Sequence, residues 1–227
     1  MRLDAYLVEM GYFKSRGRAK TAILNGNVKV DGIIVKKPSK DVSGDAEVDV
    51  EEGLDMPRGY FKLRNIQDAT GIIAENDRVL DLGSSAGGFL MMASEIASSV
   101  MGVEYSRDFR TELGKVVHEK ENVSVMFGDV FQIPLKQMSP EQVDVILSDM
   151  TLEPMDSLSA LERVLPLLRD NGKLLQVIKI EKQENRKPIL AKVESMGLTI
   201  LEVLESEKQE IYIIAQKIVS DDSNRQF

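Results

Sequence analysis

From residue 57 onward the chain alternates between short apolar runs and stretches of helical periodicity, and this alternation constrains its fold more than any other feature. Runs of strand length fall near 78–82, 100–104, 123–127, 143–148, 173–180, 199–204 and 210–217. Helical patterns fall near 59–68, 87–98, 107–119, 157–168 and 186–196. Strands separated by helices predict an α/β architecture with a mostly parallel, doubly wound sheet. The last two runs are joined by only about five residues, too few for a parallel crossover, so an antiparallel pair is expected there.

The first strand of this series runs into a glycine loop, Val79-Leu-Asp81-Leu-Gly83-Ser84-Ser85-Ala-Gly87-Gly88-Phe89. Glycines let backbone approach a ligand, and free N–H groups at the start of a following helix favour an anion. Gly83, Gly87 and Gly88 do not match the dinucleotide pattern G-x-G-x-x-G, and no Gly-Lys-Ser/Thr follows to make a P-loop. Two further acids end the next strands, Glu104 and Asp129. Asp81, Glu104 and Asp129 therefore converge on the carboxyl edge of the sheet, where open α/β sheets bind ligands. The order fits S-adenosylmethionine. The loop lies near the methionine moiety, Glu104 on the ribose and Asp129 near the adenine amine. The alternative is that the glycines only make a tight turn and each acid caps the helix after it.

The other end of the chain is different in charge. The net charge is −8, yet residues 1–40 carry nine Lys/Arg against three acids, whereas residues 41–56 carry seven acids and no base. A basic head on an acidic body points to a polyanion partner for the head. Leu3, Tyr6, Leu7 and Met10 have helical spacing, and Ser15 reads as the N-cap of a second helix. Asp31-Gly32 between two β-branched runs predicts a hairpin, and Ala46–Val50 a third strand. Residues 1–50 thus read as a small domain, 51–57 as an acidic linker, 58–219 as the main domain and 220–227 as a polar tail. No cysteine and a single histidine (His118) make a thiolate or histidine metal site improbable, and no metal is expected. The charged start Met1-Arg-Leu-Asp and the absence of a long apolar run predict no leader and no membrane partner, hence a soluble cytoplasmic chain.

The loop Asp81-Leu-Gly-Ser-Ser-Ala-Gly-Gly-Phe89 resembles the first motif of the FtsJ-like ribosomal RNA 2′-O-methyltransferases and the related TlyA, or hemolysin A-like, proteins. The family uses a Lys-Asp-Lys-Glu tetrad, and each member has a similar segment here. Arg58-Gly-Tyr-Phe-Lys62-Leu resembles the first lysine's segment, Leu147-Ser-Asp149-Met the aspartate's. Val177-Ile-Lys179-Ile resembles the second lysine's, and Glu210-Ile-Tyr-Ile-Ile-Ala the glutamate's. The head, with Met1-Arg-Leu-Asp-Ala-Tyr-Leu-Val, Ser15-Arg-Gly-Arg-Ala-Lys20 and Gly26-Asn-Val-Lys-Val-Asp-Gly32, is similar to the S4-like RNA-binding domain. The resemblance implies a Rossmann-like methyltransferase sheet with an antiparallel last strand, preceded by a small α+β S4-like domain. It implies S-adenosyl-L-methionine as methyl donor and ribosomal RNA as partner. Lys14, Arg16, Arg18, Lys20 and Lys29 are the expected phosphate-facing residues. The segment Arg58-Gly-Tyr-Phe-Lys-Leu is nearer the FtsJ-like form than the Arg-Gly-Gly-x-Lys-Leu of TlyA proteins.

The chemistry suits these residue types. A ribose 2′-hydroxyl is a poor nucleophile, so transfer needs in-line positioning and help with its proton. Lys179 is expected to serve as base or to orient the hydroxyl, with Lys182 the alternative if the register slips. Asp149 positions the hydroxyl and the donor, and Lys62 and Glu210 complete the network. Two other readings stay open. One is a non-catalytic RNA-binding or ribosome-assembly factor with a residual donor pocket. The other is a base methyltransferase, against which Asp149-Met-Thr-Leu-Glu-Pro lacks the expected Pro-Pro-aromatic signature and the chain lacks cysteine.

Overall fold

The computed structural model describes residues 1–50, 56–180, 186–205 and 210–219. Most of the expected linker, Lys182 and the polar tail lie outside the described residues. The chain divides into two compact units, Met1–Phe61 and Lys62–Phe227.

In the first unit, helices α1 (Leu3–Glu9) and α2 (Arg16–Leu24) pack on a three-stranded antiparallel sheet. Its strands are β1 (Val28–Val30), β2 (Ile33–Ile34) and β3 (Val48–Val50), in the order β2-β1-β3. The Ser15 hydroxyl accepts from the Arg18 N–H and caps α2, as the sequence predicts. Asp31 (φ 52°) and Gly32 (φ 74°) both adopt the left-handed conformation, the backbone of a tight turn that matches strand twist. The third strand is shorter than expected, because Ala46 and Glu47 are spent on the approach, where the Glu47 N–H donates to Asp31. Leu3, Leu7, Phe13, Ile23 and Val28 form the centre of a small separate core.

The second unit holds a seven-stranded sheet in the order β6-β5-β4-β7-β8-β10-β9. Helix α3 (Arg58–Thr70) precedes β4 (Arg78–Leu82), and α4 (Gly88–Ala93), β5 (Ser99–Glu104) and α5 (Arg110–Glu119) follow it. Next come β6 (Val123–Phe127), the short α6 (Leu135–Met138), β7 (Val143–Ser148) and α7 (Pro154–Val164). The chain ends in β8 (Leu168–Lys179), α8 (Arg186–Ser195), β9 (Leu198–Glu205) and β10 (Glu210–Lys217). Strands β4 to β8 pair in parallel. Strand β10 is antiparallel to both β8 and β9, and lies between them. Parallel central strands are buried on both faces, which explains their continuous Val/Ile/Leu runs.

Among the boundaries that differ from the sequence expectation, three have a clear tertiary or local reason. Helix α4 stops at Ala93 rather than near 98, where the Asn122 amide donates to the Ser94 and Ala97 carbonyls and takes over the chain's hydrogen bonding. Helix α7 starts at Pro154 rather than 157, because proline at the first helical position needs no N–H partner. Strand β8 begins at Leu168 rather than 173. Around Asn171 (φ 59°) and Gly172 the strand forms a bulge, where β8 loses and regains register with β7.

Candidate active site and nucleic-acid interface

The carboxyl ends of β4, β5 and β7 meet at one place because these strands are parallel neighbours. Gly83 follows β4 with φ +84°, and a Cβ there would stand 2.9 Å from the Asp149 carbonyl oxygen. Only glycine both adopts that conformation and lets the β4 loop close against the β7 loop. The Asp149 N–H donates to the Leu82 carbonyl at 3.1 Å and ties the two loops together. Gly87 N-caps α4 with Gly88 and Phe89 buried behind it.

The acids behave differently from one another. Glu104 is almost buried, and its two oxygens accept from the N–H groups of Ser85 and Ser106, each at 2.7 Å. It holds the glycine loop in shape, and its oxygens have further lone pairs beyond those two bonds. Asp129 accepts from the Phe131 N–H at 2.9 Å and the Gln132 side chain at 3.0 Å, so it braces its own turn. Asp81 is closed to solvent, and neither of its oxygens has a hydrogen-bond partner. Burial pushes its carboxyl up to about 7; the Ser84 hydroxyl nearby pulls the other way but falls short of hydrogen-bond geometry, and the negative Asp149 and Glu104 add to the rise.

On the other side of Asp149 stands a three-residue cluster. The Lys62 ammonium lies 2.8 Å from Asp149 Oδ2 and 2.9 Å from Glu210 Oε2. Burial pulls this ammonium down, but the two carboxylates together outweigh it and hold its pKa above the usual lysine value. Lys62 is therefore a firm cation. The structure brings three of the four sequence-selected residues into direct contact. The fourth, Lys179, is opposite Glu210 in the β8–β10 register. Its side chain is exposed, and among the described residues no carboxylate lies within ion-pair distance of it. Strand β10 contributes one residue that the sequence reading did not select. The Tyr212 hydroxyl is 3.3 Å from Glu210 Oε2, and its ring lies 5.5 Å from the Lys62 nitrogen. The signal available was its spacing: two residues past Glu210 on a strand puts it on the same face.

In the first unit the basic residues divide. Lys14, Arg18 and Lys20 are exposed around the start of α2. Arg16 is partly committed, since its guanidinium donates to the buried Asp4 at 2.8 Å, beside Arg2 on the same carboxylate at 3.0 Å. Asp4 is covered by these two guanidiniums, and they hold its carboxyl far below the usual range, with Arg2 the stronger partner. Lys29 stands 3.9 Å from Asp49 across β1 and β3. Arg2 is a second residue the sequence reading passed over, because only the fold shows that it shares a carboxylate with Arg16.

A mostly parallel sheet with its last strand reversed and a glycine loop after the first central strand is the architecture of the Rossmann-like methyltransferases. Fibrillarin from Aeropyrum pernix, solved with natively bound S-adenosyl-L-methionine, has this fold, with a TM-score of 0.61 and 20% identity over 83% of this chain and 94% of that one. Residues 56–217 match the model of the FtsJ-like methyltransferases and residues 1–48 that of the S4 domain, so the chain belongs to the FtsJ-like methyltransferase family and carries an S4 domain at its start. Among curated relatives it is 27% identical to hemolysin A of Brachyspira hyodysenteriae, over 62% of this chain and 67% of that protein. It is 29% identical to the 16S/23S rRNA (cytidine-2′-O)-methyltransferase TlyA of Mycobacterium tuberculosis (strain CDC 1551 / Oshkosh), over 74% of this chain. The match spans 60% of that TlyA protein's length.

Proposed function

We propose that this chain transfers a methyl group from S-adenosylmethionine to a ribose 2′-hydroxyl of ribosomal RNA in the cytoplasm, with its S4 domain holding the RNA. The observation that carries the reading is the Lys62 ammonium clasped by Asp149 and Glu210, with Lys179 in register beside Glu210. The cluster stands beside the glycine loop, at the sheet edge where a donor and an acceptor would meet.

The residues present fit the donor. The donor is a cation with an ammonium, a carboxylate and a ribose diol. The site offers a cradle at Gly83 that any Cβ would fill, a carboxylate at Glu104 with lone pairs to spare, and unpartnered buried oxygens on Asp81 and Ser84. Gly83, Ser84, Ser85, Gly87 and Gly88 would line the methionine end, Phe89 would back the loop, and Glu104 would take the ribose. Asp129 would face the adenine with lone pairs left over from its turn. When bound, the donor supplies a methyl group already activated by its sulfonium charge.

The protein's own part is positioning and proton handling. Lys62 is held cationic, so it cannot accept a proton; it fixes the two carboxylates in one geometry. Asp149 follows β7 at the edge of the glycine loop, where it would touch both donor and acceptor hydroxyl. Lys179 is the amine left to orient the hydroxyl or take its proton. In the head, Lys14, Arg18 and Lys20, with the free edge of Arg16 and with Lys29, meet RNA phosphates. Phosphate contacts set register and affinity and carry little sequence information.

The test is mass mapping of methylated nucleosides in ribosomal RNA incubated with the protein and labelled donor. Label on ribose in the wild-type reaction, lost with Lys179→Ala, is the expected outcome. Label found only on a base, or no transfer to any ribosomal RNA, overturns the reading.

A further inference from the structure

Among the described residues, Asp81 is the most anomalous ionisable group. A carboxyl buried without a hydrogen bond or a cation is costly to keep ionised, and burial favours its protonated form. Its neighbours reinforce this from every side. Glu104 ends the adjacent strand β5, Asp149 follows the other neighbour β7, and the loop above contributes only the Ser84 hydroxyl, itself unpartnered. Gly102, opposite Asp81 on β5, has no side chain; a Cβ there would stand 2.6 Å from Ser84 Oγ. The space is thus kept for Ser84. The one ammonium in the cluster beyond Asp149, Lys62, is bound to Asp149 and Glu210 rather than to Asp81.

We propose that Asp81 keeps its proton below neutral pH in the ligand-free protein and loses it more readily when a cationic methyl donor occupies the loop above it, so that the site senses the donor's charge. This rests on the donor reading given above. The carboxyl is sealed from solvent, so it acts on the ligand electrostatically through the loop rather than by contact. Low-dielectric surroundings make that influence strong at short range. A bound sulfonium favours the ionised form, and the proton passes to solvent. Transfer turns the sulfonium into an uncharged thioether, the ionised carboxyl loses its counter-charge, and it takes a proton back from solvent. The demethylated product, S-adenosylhomocysteine, is therefore held less tightly than the donor. The preference for donor over product grows as pH rises and the proton becomes easier to lose.

The experiment is calorimetric titration of the full chain with S-adenosylmethionine and, separately, S-adenosylhomocysteine. Both are run at about pH 6 and about pH 8, in two buffers of different ionisation enthalpy. Near pH 6 the donor is expected to release a fraction of a proton and the product clearly less. Between the two pH values the donor-over-product affinity ratio is expected to rise about three- to tenfold. Asp81→Asn, folded by circular dichroism, is expected to bind both ligands with a pH-independent ratio. Equal proton release for the two ligands, or an unchanged pH dependence in Asp81→Asn, overturns the proposal. If that variant does not fold, the wild-type proton counts decide alone. Failure of the wild type to bind either ligand overturns the donor reading itself, and the proposal with it.

Discussion

The Lys62 ammonium bridges Asp149 and Glu210 at 2.8 and 2.9 Å, joining α3 to the loop after β7 and to the start of β10. One cation satisfies two carboxylates that would otherwise repel each other. Lys62→Ala should lower kcat by about 100-fold, in line with the loss of a positioning charge in a site. It should also cost about 1–3 kcal/mol of stability, from leaving partly buried carboxylates unpaired. Single-turnover methyl transfer and urea unfolding measure the two effects. A lysine that is merely solvated would show neither.

Gly83 sets how closely the donor loop and the Asp149 loop approach. Gly83→Ala must place a Cβ 2.9 Å from a backbone oxygen at a backbone angle that L residues rarely adopt. The expected result is a loss of about 2–4 kcal/mol in stability. Donor affinity should fall with it in calorimetry, while RNA binding by the head stays within about twofold, since the glycine lies outside that unit.

Asp81 also predicts a pH slope in stability. Its folded-state carboxyl is raised to about 7 from the ordinary 3.8, so the folded protein binds more protons than the unfolded chain between those values. Stability from this group is present in acid, falls as pH rises from about 4 towards 7, and then levels. Denaturant midpoints measured across that range should show a steeper decline in wild type than in Asp81→Asn.

Asp4 has the opposite sign. Its folded carboxyl is held far below the ordinary value by Arg2 and Arg16. The stability it lends is complete above about pH 4 and is lost as pH falls towards the folded value. Asp4→Asn should lower the melting temperature of the first unit at neutral pH, and the difference from wild type should shrink in acid. A constant difference at all pH values would show that shape rather than charge is at stake.

Head residues should act through phosphate. Neutralising Lys14, Arg18 or Lys20 to Gln should weaken binding to ribosomal RNA about equally for all sequences. Each should reduce the slope of log affinity against log salt by about one. A substitution that changed sequence preference instead would mean base contacts. Filter binding at several salt concentrations separates the two.

Much of the site was legible before the fold was. Glu104, Asp149, Lys179 and Glu210 stand at the ends of apolar runs, and a strand end in a parallel sheet is a position that faces ligand. The glycine loop was legible because glycine is the residue that most readily takes left-handed backbone and allows close approach, as Gly83 does. The partners were not. Lys62 and Asp149 are 87 residues apart, and nothing local in either segment reports the other. Tyr212 looked like any strand aromatic, and Arg16 like any exposed helix arginine, until Glu210 and Asp4 were found against them. The early stop of α4 was hidden for the same reason, since Asn122 comes from beyond the next helix.

By itself the sequence determined the periodicities, and with them the parallel α/β body and the tight Asp31-Gly32 hairpin, because these depend on side chains within a turn or a strand of one another. Tertiary structure alone decided that β10 lies between β8 and β9, which puts Glu210 opposite Lys179 and beside Lys62. It also decided which ionisable groups are paired and which are stranded. Charge state in a folded protein depends on distance in space and on exclusion of water, and the order of residues encodes neither directly.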